Sequence, residues 1–304
     1  MGTSYQITLQ TTREKSVEIK KIIDEGLDEI NQLMSTYIDD SELSQFNKNQ
    51  SKECIPLSQQ TLHVIQTSVE ISKQTQGRFD VTIDPLIAEW GFDRKDTGNL
   101  IPSNEKLAEL LDNIGYHKLY LGEGCVKKDI ASLSVNLSAI AKGYAVDQIA
   151  KILDENNIQN YLAEIGGEIA SKGVNPKAKP WRLAIEAPVE EQRVIQQIFN
   201  PRGLAVATSG DYRNYFEKDN IRFSHTIDPS TGKPIIHKLA SVTVLHPQTM
   251  YADGYATAFM VMGAKDTLDF ANKNDLAVFM IVKTDQGFDT IYSHKFKHHL
   301  ITNR

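Results

Sequence analysis

Two kinds of hydrophobic periodicity divide this chain, and their order along it restricts the folds open to it. Up to Gly115 the apolar residues recur mainly at helical spacing; after Tyr116 short alternating or continuous apolar runs dominate. In residues 14–34, Ile19, Ile23, Leu27, Ile30 and Met34 form one stripe, which predicts a packed amphipathic helix. Ser58 is placed to cap a second helix through Leu62, Ile65 and Val69 that Gly77 ends, and Ser103 opens a third through Leu107, Leu110 and Leu111, closed by Gly115. Between them Phe79, Val81 and Ile83 alternate as a short strand. Further strands are expected at 118–121, 125–128, 132–137, 161–165, 181–186, 204–208, 222–227, 240–245, 276–282 and 289–292. A helix is expected at 139–156 through Ile140, Tyr144, Ile149 and Leu153, and loops at 174–180 and 188–201. The pattern is that of a mixed α and β protein.

The chain has 304 residues and is 40% hydrophobic, enough to bury a large core as one domain or two lobes. No apolar run approaches the ~20 residues that span a bilayer. No polybasic tract points to nucleic acid, and the formal net charge of −6 draws no anion by bulk field. The charged run near residue 14 and the terminal HKFKHH read as solvated faces, with His294, His298 and His299 in a polar tail. Cys54 and Cys125 form no CxxC pair, and two cysteines so placed leave the redox compartment open.

Chemistry concentrates in two neighbouring segments, RFSHTIDPSTGKP at 222–234 and YADGYATAF from Tyr251. If 251–262 is a helix, Asp253 and Thr257 stand at i and i+4, so a carboxylate and a hydroxyl leave the same face. Hard oxygen donors at that spacing suit Mg²⁺, which takes one or two protein ligands and fills its shell with water and phosphate oxygens. The same aspartate also suits a plainer role, complementing a helix N-terminus. In DPSTG, Pro229 sets φ and Gly232 can take positive φ, a tight turn able to approach phosphates. His225, near a strand end, is a general base if it reaches a hydroxyl. A third segment, NLSAIAKGYAVD from Asn136, reads as strand, turn and helix, placing backbone amides and Lys142 where an anion can meet them; a plain crossover with a solvated lysine fits as well.

These blocks occur in a characteristic order. With MGTSY at Met1, STYIDDSELSQFN at Ser35, GRFDVTIDPLIAEWGF at Gly77, EIGGEI at Glu164 and ATSGDYRNYF at Ala207, they make eight ordered segments over nearly the whole chain. The chain resembles the ApbE family, the FAD:protein FMN transferases. The resemblance implies an α+β fold of mixed sheets and packed helices, a single domain over 1–304 with two intimately packed lobes and the flavin in the cleft between them. It implies cleavage of FAD at its pyrophosphate, transfer of FMN to a Thr or Ser hydroxyl of an acceptor protein, and release of AMP. Mg²⁺ would be held by Asp253, Thr257 and the main-chain carbonyl of Ala139.

By the same resemblance Met1 and Tyr37 lie by the isoalloxazine or ribityl chain. Arg78, Phe79 and Asp80 form a wall of the site, partly through backbone groups, and Asn136, Lys142 and Ile227 meet the adenylate or phosphates. Tyr37 and Phe79 also suit a core, and Arg78 a surface. The family commonly has aspartate where this chain has Asn136, which keeps the hydrogen bonding and loses the charge. Expected partners are FAD and an acceptor flavoprotein, such as a subunit of a sodium-pumping or related redox complex. The resemblance implies an extracytoplasmic or periplasmic location, with the chain expected to be a mature segment lacking its leader and any membrane association through a leader or lipid anchor it does not carry; a cytoplasmic location stays open. The same site with water as nucleophile would be an FAD pyrophosphatase; a flavin carrier would need the pocket without the metal pair or His225.

Overall fold

The computed structural model describes residues 2–92, 101–189, 194–210, 215–218 and 221–301. The chain divides into two compact units, one made of Met1–Glu29, Lys142–Arg213 and Lys238–Arg304, the other of Ile30–Ala141 and Asn214–His237. Helices and antiparallel sheets mix throughout, an α+β fold.

The first unit is built on a seven-stranded sheet whose neighbours follow chain order from edge to edge: Tyr5–Leu9, Tyr161–Ile165, Glu168–Lys172, Ala205–Gly210, Leu239–His246, Ala277–Thr284 and Gly287–Tyr292. Every pairing is antiparallel. Val206, Leu245, Phe279 and Ile281 share one buried face with Ile185, Phe199 and Phe296. Alternation sends Val242, Val244, Val278 and Met280 to the other face, where the longest helix lies along the central strands. Both faces of these strands are therefore covered, which is why their sequences read as continuous apolar runs instead of alternating ones.

The helices in chain order are α1 (Arg13–Met34), α2 (Glu42–Lys48), α3 (Gln59–Gln74), α4 (Asp84–Glu89), α5 (Asn104–Leu111), α6 (Ala141–Glu155) and α7 (Thr249–Lys273). Most of α1, nearly all of α6 and all of α7 belong to the first unit. Ser58 caps α3 by accepting the Thr61 N–H at 3.2 Å, and Ser103 caps α5 through Lys106, as the sequence predicts. α7 continues eleven residues past the predicted end at Met262, but Gly263 breaks its helical geometry with φ of 78°.

In the second unit a three-stranded sheet joins Ile55–Pro56, Cys125–Lys128 and Leu119–Gly122. Cys54 and Cys125 form a disulfide across it, a pairing that two cysteines 71 residues apart do not disclose in sequence. Lys128 is fully buried, its ammonium donating to the carbonyls of Phe46, Asn47 and Asn49 at the end of α2. There it neutralises the negative end of the helix dipole.

Several expected elements differ. Residues 79–83 and 132–137 are not strands, although Phe79, Val81, Leu133, Val135 and Leu137 are all buried. Side chains take the hydrogen bonds a ladder would have used. Asp80 accepts the Thr82 N–H at 2.8 Å, and the Asn47 amide both accepts from the Val135 N–H and donates to its carbonyl, each at 2.8 Å. A single backbone bond, Asn136 N–H to the Val81 carbonyl at 2.7 Å, joins the two segments. The expected strand at 222–227 is interrupted at His225 and Thr226, where the Thr226 N–H turns back to the Ser224 hydroxyl. The expected loop at 188–201 contains the strand Ile195–Phe199, and α5 ends at Leu111, four residues before Gly115. The C-terminal histidine run is only partly solvated: His294 and His298 are exposed as expected, but Phe296 and His299 are buried, and the His299 Nδ1 pairs with the Asn200 carbonyl at 2.9 Å.

Candidate active site

In the first unit α6 and α7 place their first turns against each other, and each caps the other. Asp147, on α6, accepts the N–H groups of Thr249 and Met250 at 2.7 and 2.9 Å. Asp253, on α7, accepts the Gly143 N–H at 2.9 Å. Both carboxylates thus satisfy donors that a helix start leaves without intrahelical partners. The approach requires glycine at 143, because a Cβ there would lie 2.6 Å from the Thr249 carbonyl oxygen and 2.7 Å from the Met250 Cα. Asp253 does complement a helix N-terminus, as its sequence context allows, but the helix is α6 and not its own.

This crossing sets the charges. The Lys142 ammonium lies 3.4 Å from Asp253 Oδ1 and 3.5 Å from Glu168 Oε1, Glu168 opening the strand after the Gly166–Gly167 turn. The carboxylate side chains are 6% and 3% exposed, the lysine 27%. Two buried acids share one ammonium, so a poorly solvated place disfavours ionising both at once. Burial, reinforced by the Asp253 charge, pushes Glu168 up to about 8 against the pull of Lys142. Burial also raises Asp253, opposed by Lys142 and the Gly143 N–H. Burial opposes the charged form of Lys142, but its two acid neighbours prevail and raise its pKa.

Thr257 follows Asp253 by one turn of α7 and is half-buried. The pair therefore has the helical spacing the sequence predicts. Among the described residues no three His, Cys, Asp or Glu side chains gather into a metal cage. Glu168 Oε2 is buried without a hydrogen-bond partner among those residues. The Asp253 carboxylate and the Thr257 hydroxyl, hard oxygen donors one helical turn apart, fit a hard divalent cation that keeps most of its shell for water or phosphate.

In the second unit the loop at 78–84 meets the DPSTG turn. Arg78 Nη1 donates to Asp228 Oδ2 at 2.8 Å and to the Ser230 hydroxyl at 3.2 Å. The turn is tied internally by the Ser230 N–H and hydroxyl on Asp228 Oδ1, and the Gly232 N–H returns to the Asp228 carbonyl at 2.9 Å. Gly232 has φ of 68°, and its carbonyl accepts from the Trp90 indole at 2.7 Å, seating the turn over a core that includes Leu86, Leu107 and Ile227. Asn136 donates to Asp84 at 2.7 Å and accepts the Ser138 N–H at 2.9 Å, so its amide orients the turn ahead of α6. Ala139 is in that turn.

The remaining predicted residues fall as follows. Phe79 and Ile227 are core residues, each 2% exposed, while Tyr37 is 58% exposed between α1 and α2. Asp80 is buried and its carboxylate is occupied by the Thr82 N–H, the Thr82 hydroxyl and the Tyr116 N–H, leaving its backbone for any ligand. His225 is half-buried at the strand break, and Met1 lies outside the described residues. The structure thus brings together Lys142 with Asp253, and the 78–84 loop with Asn136 and the DPSTG turn. Sequence reasoning gave no role to Glu168, Asp147, Gly143 or Asp228, although all four stand inside the ordered motifs; only the fold shows what they touch.

The model of the ApbE family matches residues 1–280. This chain belongs to the ApbE family. Among ApbE relatives, the FAD:protein FMN transferase of Vibrio cholerae is 46% identical over 299 residues, covering 98% of this chain and 90% of the relative. The enzyme of that name from Haemophilus influenzae is 42% identical over 309 residues, with 98% and 88% covered. The solved flavin transferase ApbE from Vibrio cholerae superposes with a TM-score of 0.91 at 44% identity, over 99% of this chain and 96% of that one. The apo form of the Pseudomonas stutzeri flavinyl transferase ApbE also gives 0.91, at 36% identity over 100% and 95%.

Proposed function

We propose that this ApbE chain is a Mg²⁺-dependent FAD:protein FMN transferase, cleaving FAD, attaching FMN through a phosphoester to a Thr or Ser hydroxyl of an acceptor protein and releasing AMP. The observation that carries this is likeness at 46% identity, over 98% of this chain and 90% of the relative, to a protein bearing that name. The acidic cluster around Lys142 supports the ion: Asp253, Thr257 and the Ala139 carbonyl are the residues that would hold it. When bound, Mg²⁺ offsets charge on the phosphates and on the departing AMP.

The protein's own groups do the rest. With a net charge of −6 the chain offers no bulk attraction to a dinucleotide, so local cations bear that load, Lys142 foremost. His225 takes the proton of the incoming hydroxyl, since imidazole titrates near neutrality. The Vibrio cholerae transferase has also been solved with a histidine replaced by glycine. Met1, Tyr37, Arg78, Phe79 and Asp80 serve the flavin, and Asn136, Lys142 and Ile227 the adenylate and phosphates. Arg78 acts through the turn it anchors, and Phe79, Asp80 and Ile227, whose side chains are buried, through their main chains. The disulfide supports an extracytoplasmic location, since such bonds persist in oxidising compartments. The acceptor is then an extracytoplasmic flavoprotein, such as a subunit of a redox complex.

The test incubates the protein with FAD and Mg²⁺, with and without an acceptor domain carrying a target threonine, and measures AMP, free FMN and protein-bound flavin. Acceptor-dependent AMP with covalent flavin is expected; acceptor-independent FMN would make the enzyme a pyrophosphatase, and no turnover would leave a carrier. His225→Ala should lose about 10²–10⁴-fold in transfer rate. Near-normal transfer with an intact fold would remove His225 from the chemistry. Asp253→Ala should abolish Mg²⁺-dependent turnover while retaining some FAD binding, and unchanged turnover would dismiss the Asp253–Thr257 pair.

A further inference from the structure

Glu168 is a buried acid to which neither ion coordination nor proton transfer assigns a task. Its side chain is 3% exposed, Oε1 lies 3.5 Å from the Lys142 ammonium, and Oε2 is buried without a hydrogen-bond partner among the described residues. Leaving a carboxylate oxygen buried and unsatisfied is unfavourable, so such a group calls for an explanation. Lys142 is similarly incomplete. At 3.4 and 3.5 Å from its two acids it stands beyond the roughly 2.7–2.9 Å of a short charge-assisted bond to either. The ammonium is shared, while Asp253 Oδ2 is pinned to α6 by the Gly143 N–H.

A divalent cation on Asp253 would repel an ammonium lying against Oδ1 of the same carboxylate. The lysine needs somewhere to go, and Glu168 offers one oxygen already at its side and a second with no partner. We propose that Glu168 is a positioning residue that takes over the Lys142 ammonium when Asp253 accepts the cation. The transfer frees Asp253 Oδ1 for the ion and keeps a positive charge beside it for the phosphates. Closing from 3.5 Å to a short ion pair needs a shift of under about 1 Å, within the reach of a lysine stem. The inference rests on the reading of Asp253 as an ion ligand.

The test is Mg²⁺ binding to the full FAD-free chain by titration calorimetry, independent of turnover. Glu168→Gln keeps the side-chain shape and should weaken Mg²⁺ binding about 10-fold or more, as loss of a ligand's supporting partner commonly does. In the Lys142→Met background, where no ammonium competes for Asp253, the same substitution should cost little. An equal loss in both backgrounds would make Glu168 a mere contributor of negative charge, and no loss in the native background would overturn the inference outright. Glu168→Asp, which keeps the charge and shortens the reach, should fall between native and Gln if positioning matters; native-like binding would count against it. Absence of Mg²⁺ binding by the native chain, or binding unaffected by Asp253→Ala, would instead bring down the reading of the ion site itself. Circular dichroism of each variant establishes that the fold is intact.

Discussion

At the scale of single residues, the charges around Lys142 make stability depend on pH. Burial, the chief cause, pushes Glu168 in the folded protein up to about 8 from an ordinary 4.5. Below about 4.5 both folded and unfolded chains hold this proton; between about 4.5 and 8 only the folded chain keeps it, so stability falls as pH rises through that window. The limiting slope for one such group is about 1.4 kcal/mol per pH unit. Asp253, also raised, acts in the same direction. Without divalent ions, the native protein should lose melting temperature between pH 5 and 8 more steeply than Glu168→Gln. Parallel curves would mean that Glu168 titrates where a solvated glutamate does. Sequence made Asp253 and Thr257 legible because i,i+4 spacing on a helix is local. Glu168 was not, since what it faces depends on where the strand Glu168–Lys172 lies relative to α6.

At the scale of elements, the reciprocal caps between α6 and α7 depend on close backbone approach. Gly143→Ala forces the new methyl against the Thr249 carbonyl and the Met250 backbone, which cannot rotate away as a side chain would. A loss of about 1–3 kcal/mol is expected in urea unfolding, together with weaker Mg²⁺ binding because Asp253 shifts. Unaltered stability would show that the helices separate at no cost. Elements also mark where periodicity misled. Alternation reports burial correctly at 132–137, whereas at 79–83 Asp80 and Thr82 are buried beside Phe79 and Val81; in these segments Asn47 and Asp80 replace the ladder with side-chain bonds. Alternation alone is blind to which partner takes the backbone N–H. The helices capped by Ser58 and Ser103 were predictable because a cap lies within three residues of the donor it satisfies.

At the scale of the molecule, the Cys54–Cys125 bond closes a long loop of the second unit. On a chain-entropy view such a link restricts the unfolded ensemble, and its removal typically costs about 2–5 kcal/mol. Cys54→Ser with Cys125→Ser should lower the urea midpoint, and reductant should bring the native chain to the same value while leaving the variant unmoved. A reductant-insensitive native midpoint would exclude the bond. Neither cysteine advertised this pairing, for the two come together only through the strand register of a small sheet. What could be read along the chain was whatever nearby residues settle among themselves: helical stripes, caps, the DPSTG turn, the Asp253–Thr257 pair and the ordered motifs of the ApbE family. What required the folded chain was every pairing across long separations: Arg78 with Asp228, Asn47 with Val135, Asp147 with the start of α7, and Lys142 between Asp253 and Glu168. The division follows from range. Backbone geometry and capping act over a few residues, whereas the burial and charge that tune this site depend on which distant segments the core brings together.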